Sequence, residues 1–146
     1  MGLVTIVVGV DGSDASMRAL AYAVGAARRM GAKVIVGFAH PHAPASAALG
    51  LSAGVIDAAL TAAAEVEDET CATVATAVKT ASDECGVDVE LRHLPGPPAD
   101  ALARLADGVA ADLVVVGASR HPANPVFASV GRRLNRHIAW PLTVVP

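Results

Sequence analysis

The sequence predicts an α/β fold, a parallel sheet whose strands alternate with helices that cover both faces. Three observations predict it. Short valine-rich runs recur without polar alternation, as strands buried on both faces do. Longer stretches between them carry apolar residues at helical spacing. Glycine, proline, serine and aspartate fall at the boundaries, where turns and caps need them.

The elements follow in order. Thr5-Ile6-Val7-Val8-Gly9-Val10 is a β-branched run read as the first strand. Asp11-Gly12 ends it, and Ser13 or Asp14 can cap the helix that follows. Met17, Leu20, Ala21, Val24 and Ala27 make that helix amphipathic, and Gly31 supplies its stop. Val34 to Ala39 is the second strand, and His40 to Ser52, rich in Pro, Ala, Gly and Ser, reads as a loop. From about Ala53 to Cys85 the spacing predicts a helix, with Val74, Val78, Ala81 and Cys85 on one stripe and Gly86 ending it. Val87 to Leu91 alternates as a half-exposed strand would. Gly96-Pro97-Pro98 places proline at the start of a helix built on Leu102, Leu105, Ala106 and Val109. Leu113 to Val116 is the fourth strand. A helix from Ser129 to about Ala139 follows, and Leu142 to Val145 is the last strand.

This β-α-β-α-β-α-β-α-β order calls for right-handed crossovers and hence a parallel sheet. At 146 residues the chain, 1–146, is expected to form one domain large enough for a real core. Hydrophobic residues make up 53% and charged residues 17%, which excludes a disordered tail. Aromatics at 3% offer few stacking platforms, and a net charge of -3 offers no general attraction, so neither nucleic acid nor membrane is an expected partner. No 18-residue apolar span is present, and the start lacks the basic region and cleavage site of a signal peptide, so the expected compartment is cytoplasmic. Cys71 and Cys85 lie on one predicted helix, roughly 21 Å apart at its rise, too far to bridge.

In a sheet of this kind ligands bind beyond the C-terminal strand ends, where the winding direction reverses. Asp11-Gly12 and Gly117-Ala118-Ser119 both follow strands there and can meet at one crevice. A strand, a glycine turn and a serine-started helix form an anion cradle, because backbone N–H groups and the positive helix end converge. Asp11 has a second reading, as a residue that caps the following helix or orders the Gly12 turn. His40-Pro41-His42 has no carboxylate or cysteine neighbour, so no metal site is expected there. Arg132, Arg133, Arg136 and His137 give the last helix a basic face, either solvated at its C-terminal end or counter-charge to an anion. No Walker lysine, no Gly-x-Ser-x-Gly elbow and no catalytic cysteine pattern is present, so the chain is not expected to be an enzyme.

Four ordered motifs carry a resemblance. Val8-Gly9-Val10-Asp11-Gly12-Ser13-Asp14-Ala15-Ser16, Gly96-Pro97-Pro98-Ala99-Asp100-Ala101-Leu102, Ala111-Asp112-Leu113-Val114-Val115-Val116-Gly117 and His137 to Val145 together resemble the universal stress protein family, with Trp140 standing at that family's cysteine. The resemblance implies an adenine nucleotide alpha hydrolase-like sheet of strand order 3-2-1-4-5 and a homodimer formed through the C-terminal strand. It also implies an adenine-nucleotide crevice: Asp11 and Gly12 on the ribose and metal-phosphate side, Ala39 at the adenine, and Gly117, Ser119, Arg120, Ser129 and Val130 around the phosphates. Nucleotide-binding members carry G-x2-G-x9-G-[ST] after the fourth strand. Here Gly117 and Ser129 match, whereas Arg120 and Ala128 stand at the second and third glycines and the loop is about two residues shorter. Arginine at a position suited to φ > 0 costs about 1 kcal/mol or more, yet its guanidinium can itself contact phosphate. The expected function is a stress-adaptation or regulatory module with a degenerate ATP-type site, magnesium entering only with the nucleotide. The alternative is a nucleotide-independent dimeric interaction protein whose crevice Arg120 and the short loop close. Slow nucleotide hydrolysis stays open in the first case.

Overall fold

The structure, a computed structural model, describes residues 2–39, 53–118 and 139–146. Its elements are β1 (Thr5–Val10), α1 (Asp14–Met30), β2 (Lys33–Ala39), α2 (Ala53–Cys85), β3 (Val89–Leu94), α3 (Pro98–Gly108), β4 (Leu113–Gly117) and β5 (Leu142–Val145). The five strands form one parallel sheet in the order β3-β2-β1-β4-β5. The order expected from the resemblance is therefore the one observed. The His40–Ser52 loop and the helix expected from Ser129 lie outside the described residues, apart from Ala139, which with Trp140 forms a bend.

Both faces of the central strands are buried, so their residues split between two cores. Ile6, Val8, Val10, Val34, Val36 and Phe38 pack beneath α1 and α2. Val7, Ile35, Val114 and Val116 pack with Leu102 and Ala106 of α3 and with Trp140. Gly9 and Gly37 are paired in register between β1 and β2. A Cβ at Gly9 would come 2.9 Å from Leu102 Cδ2, so the missing side chains admit the leucines of α3 against the sheet. Trp140 Nε1 donates to Asp107 Oδ1 at 3.0 Å, which satisfies the indole N–H while its ring fills the second core. At the strand starts, Asp112 bridges β1 and β4: Thr5 N donates to its carboxylate at 2.8 Å, and its own N–H donates to Thr5 O at 2.9 Å.

One expectation needs correction. The third strand runs from Val89 to Leu94, not Val87 to Leu91. Pairing begins where Val34 N donates to Asp88 O and continues until Phe38 and Ala39 of β2 have met His93 and Leu94. The neighbouring strand sets the length, and polar alternation within the segment alone does not reveal it. β3 is an edge strand with charges along it. Glu90 lies 2.8 Å from Lys33 Nζ and 2.6 Å from Arg92 Nε. Those two hydrogen bonds, Arg92 first, hold the Glu90 carboxyl down to about 2.

The ends of α1 and α3 use the same geometry with different residues. Gly31 closes α1 at φ 65, and Ala32 N returns to Ala27 O at 2.9 Å. After α3, Ala111 N returns to Ala106 O at 2.9 Å, but the left-handed position is filled by Ala110 at φ 51. Alanine is strained there and glycine is not. Ala110→Gly is therefore expected to stabilise the fold by about 0.5–1 kcal/mol, read as a higher urea midpoint. A lower midpoint would contradict the assignment.

Candidate functional site

The C-terminal ends of β1, β2 and β4 define the crevice. β1 leads into a turn held by its own side chains. Ser13 donates to Asp11 Oδ1 from both its N–H (2.9 Å) and its Oγ (2.6 Å). Ser16 N donates to Ser13 Oγ at 3.3 Å, making Ser13 the N-cap of α1. Ser16 Oγ donates back to Ser13 O at 2.9 Å and accepts from Asp11 N at 3.3 Å. Ser16 is itself buried, and it is the one buried polar residue among the described residues. Of the structural roles open to Asp11, ordering the turn is thus realised through Oδ1, whereas the cap of α1 is Ser13 and not Asp11. Asp11 is half-buried, and its Oδ2 makes no hydrogen bond among the described residues.

Two glycines at this site are required by close approach. Gly12 has φ 87, and a Cβ there would overlap the Thr70 methyl of α2. Gly117, the last residue of β4, lies against the first turn of α1. A Cβ on it would come 2.5 Å from the Ala15 carbonyl carbon, 2.6 Å from its oxygen and 2.7 Å from Ser16 N. These are backbone atoms, which cannot swing aside. Beyond Gly117, Ala118 N donates to Val145 O at 2.7 Å, tying the exit of β4 to the end of β5. Arg18 Nε donates to Pro146 O at 2.9 Å on the same side.

The structure therefore brings Asp11, Gly12 and Gly117 around the start of α1. Ala39 ends the neighbouring strand, one residue beyond the Val10–Phe38 pair. Ser119, Arg120, Ser129 and Val130 lie outside the described residues, as do His121 and the basic residues from Arg132 to His137. Three residues of the rim carried no functional assignment in the sequence. Ser16 was visible only as the last letter of the Asp11–Ser16 motif. Thr70 had no signal at all, because its contact depends on how α2 crosses the sheet edge. His93 meets the Phe38 ring edge-on at 5.9 Å, a contact set by the pairing of β2 with β3. Among the described residues no group of three His, Cys, Asp or Glu side chains could hold a metal ion. No helix among them is long and apolar enough to cross a membrane.

Comparison with known proteins bears directly on this geometry. Residues 4–146 match the profile of the universal stress protein family. The chain is similar to a universal stress protein solved in complex with cAMP, at 30% identity, covering 100% of this chain and 99% of that one, with a TM-score of 0.66. It is also similar to the Archaeoglobus fulgidus universal stress protein in complex with dAMP, at 25% identity, covering 100% of both chains, with a TM-score of 0.65. A universal stress protein from Lactobacillus plantarum shares the fold at 21% identity and TM-score 0.67, covering 100% of this chain and 99% of that one. No curated protein matches the sequence.

The Gly117 contact is made with backbone atoms of the protein itself, which makes it separable from binding. Gly117→Ala is expected to cost about 1–3 kcal/mol through overpacking against backbone, measured by urea denaturation of ligand-free protein. Unchanged stability would show that the strand end does not rest on α1.

Proposed function

The chain belongs to the universal stress protein family, and on that footing we propose that it is a regulatory binding module that takes an adenine nucleotide at the Asp11–Gly12–Gly117 crevice. The observation that carries this reading is the convergence on one rim of a carboxylate oxygen that makes no hydrogen bond among the described residues, two glycines packed tightly against their neighbours and a capped helix start. The cAMP and dAMP complexes of similar proteins support adenylate as the shared chemistry. Asp11 Oδ2 is available to accept from a ribose hydroxyl or to face a phosphate-bound magnesium. Gly12 and Gly117, closed against Thr70 and the first turn of α1, fix the turn and the strand end that frame the ligand, and Ala39 offers backbone groups to the base. ATP is the triphosphate form of the same ligand, its phosphates directed toward Ser119, Arg120, Ser129 and Val130. The module's work is binding rather than turnover.

Equilibrium titration of nucleotide-stripped protein with cAMP, AMP and ATP–magnesium tests the site. Binding is expected, with Asp11→Ala weakening it about tenfold or more. Arg120→Gly strengthens ATP binding if the arginine side chain obstructs the cradle and weakens it if the guanidinium holds phosphate. No binding at millimolar ligand would leave the nucleotide-independent interaction protein as the reading.

We also propose a homodimer through β5, because the two sheet edges differ. β3 is guarded by Lys33, Glu90 and Arg92, whereas β5 is Leu-Thr-Val-Val with Val144 49% exposed. Charged edges resist pairing and apolar ones invite it. Val114 N donates to Pro141 O, and Ala118 N to Val145 O. In a parallel ladder this turns the backbone groups of Leu142 and Val144 away from β4, toward the open edge. Val144→Pro removes one of those donors while leaving the β4 ladder intact. Sedimentation is expected to show the assembled mass halved, and an unchanged mass would place the contact elsewhere.

A further inference from the structure

The second helix is twice as long as the sheet it packs on. Thr70 stands at the level of Gly12, just beyond the C-terminal edge of β1. Residues from Cys71 to Cys85 run back along the sheet to the start of β3, and Val74 and Val78 are in the core. The other half, Ala53 to Glu69, continues past the edge for roughly 25 Å at the helical rise. That overhang presents an apolar stripe. Val55, Ala58, Ala62 and Val66 are spaced at i, i+3, i+7 and i+11, so they share one side of the helix, and all four are exposed, Val55 to 50% and Val66 to 62%. The same side continues below the edge as Ala77, Thr80 and Glu84, and these line a groove of about 430 Å³ between α1 and α2. The opposite wall is Met17, Ala21, Val24, Gly25 and Arg28 of α1. A helical side that is apolar at one end and walls an apolar groove at the other is complementary to an inverted copy of itself.

We propose that two copies of this chain associate through antiparallel α2 helices, each overhang lying in the α1/α2 groove of the other. The two-fold axis passes between Glu69 and Thr70, midway between Val55 and Glu84. Rotation about it sets Val66 near Thr73, Ala62 near Ala77, and Val55 near Glu84 and Cys85. Two arguments on the molecule favour a second copy as the occupant. Overhang and packed half are nearly equal in length, 17 and 15 residues on either side of Thr70, so the reciprocal fit closes on itself as an isologous contact must. Alanines meet alanines along the seam, which lets helix axes approach closely. The charged residues of the groove are one of each sign, Arg28 and Glu84, so it sets no net charge against the side that enters it. Two reciprocal overhangs bury on the order of 1,000 Å², the lower bound of a specific interface. α2 lies over the β2–β3 side of the sheet and β5 is the far edge, so this contact and pairing through β5 coexist and together give a dimer of dimers.

A single introduced cysteine tests the register. Within one chain, positions 55 and 85 are about 45 Å apart along the helix, so no intramolecular disulfide can form. Val55→Cys is expected to give a disulfide-linked dimer on mild oxidation, seen on a non-reducing gel and mapped by mass spectrometry to a bond between the introduced cysteine and Cys85. Adding Cys85→Ser is expected to abolish it. Adding Val66→Glu, an exposed change that leaves the core untouched, is expected to lower its yield about tenfold or more, because an unpaired carboxylate is then buried on each side of the axis. Failure to cross-link, a link that survives Cys85→Ser, or one indifferent to Val66→Glu would each overturn the proposal.

Discussion

The contact between Gly117 and the first turn of α1 is the constraint on which the crevice depends. β4 ends against backbone atoms of Ala15 and Ser16, with no room for a side chain. That contact fixes the end of one strand to the start of the helix that follows its neighbour. The Asp11–Ser16 turn is organised around the same point: Ser13 caps the helix, Asp11 holds Ser13, and Ser16 bridges back to Asp11. A ligand arriving at the C-terminal rim therefore meets a surface already assembled by folding, which limits what ordering binding would have to supply.

This alters how the glycine of the phosphate motif is understood. From sequence, Gly117 stood as the first letter of a cradle from which Arg120 and Ala128 depart. In the structure its missing side chain is demanded by packing whether or not a nucleotide binds. Retention of Gly117 is accordingly evidence for the fold before it is evidence for a phosphate. Asp11 carries the opposite lesson. Its structural duty uses one oxygen, and among the described residues the other makes no hydrogen bond, so turn-ordering and ligand contact are compatible in one side chain.

Much of the architecture was legible because it is written in local chemistry. The valine-rich runs mark the buried strands, Ser13 marks a cap, Gly31 a helix stop and Pro98 a helix start. What was illegible depends on neighbours. The bounds of β3 follow the length of β2, and the end of α3 is made by Ala110 in a conformation for which the sequence offers no glycine signal. Thr70 reaches Gly12 only because α2 crosses the sheet edge at its midpoint. Spacing alone predicted that helix from Ala53 to Cys85 but could not show that half of it would have no sheet beneath it. The exposed Val55 and Val66 side chains follow from that mismatch of lengths, as does the apolar groove beside the packed half.

The central claim is that the rim around Asp11, Gly12, Ala39 and Gly117 receives an adenine nucleotide. Amide resonances of isotopically labelled protein, followed through titration with cAMP and with ATP–magnesium, test it most directly. The account predicts saturable shifts centred on Gly12, Ala39, Gly117 and Ala118, with the α1/α2 groove residues Ala21, Gly25 and Ala81 unmoved. Shifts confined to the groove, or none at millimolar ligand, would contradict it.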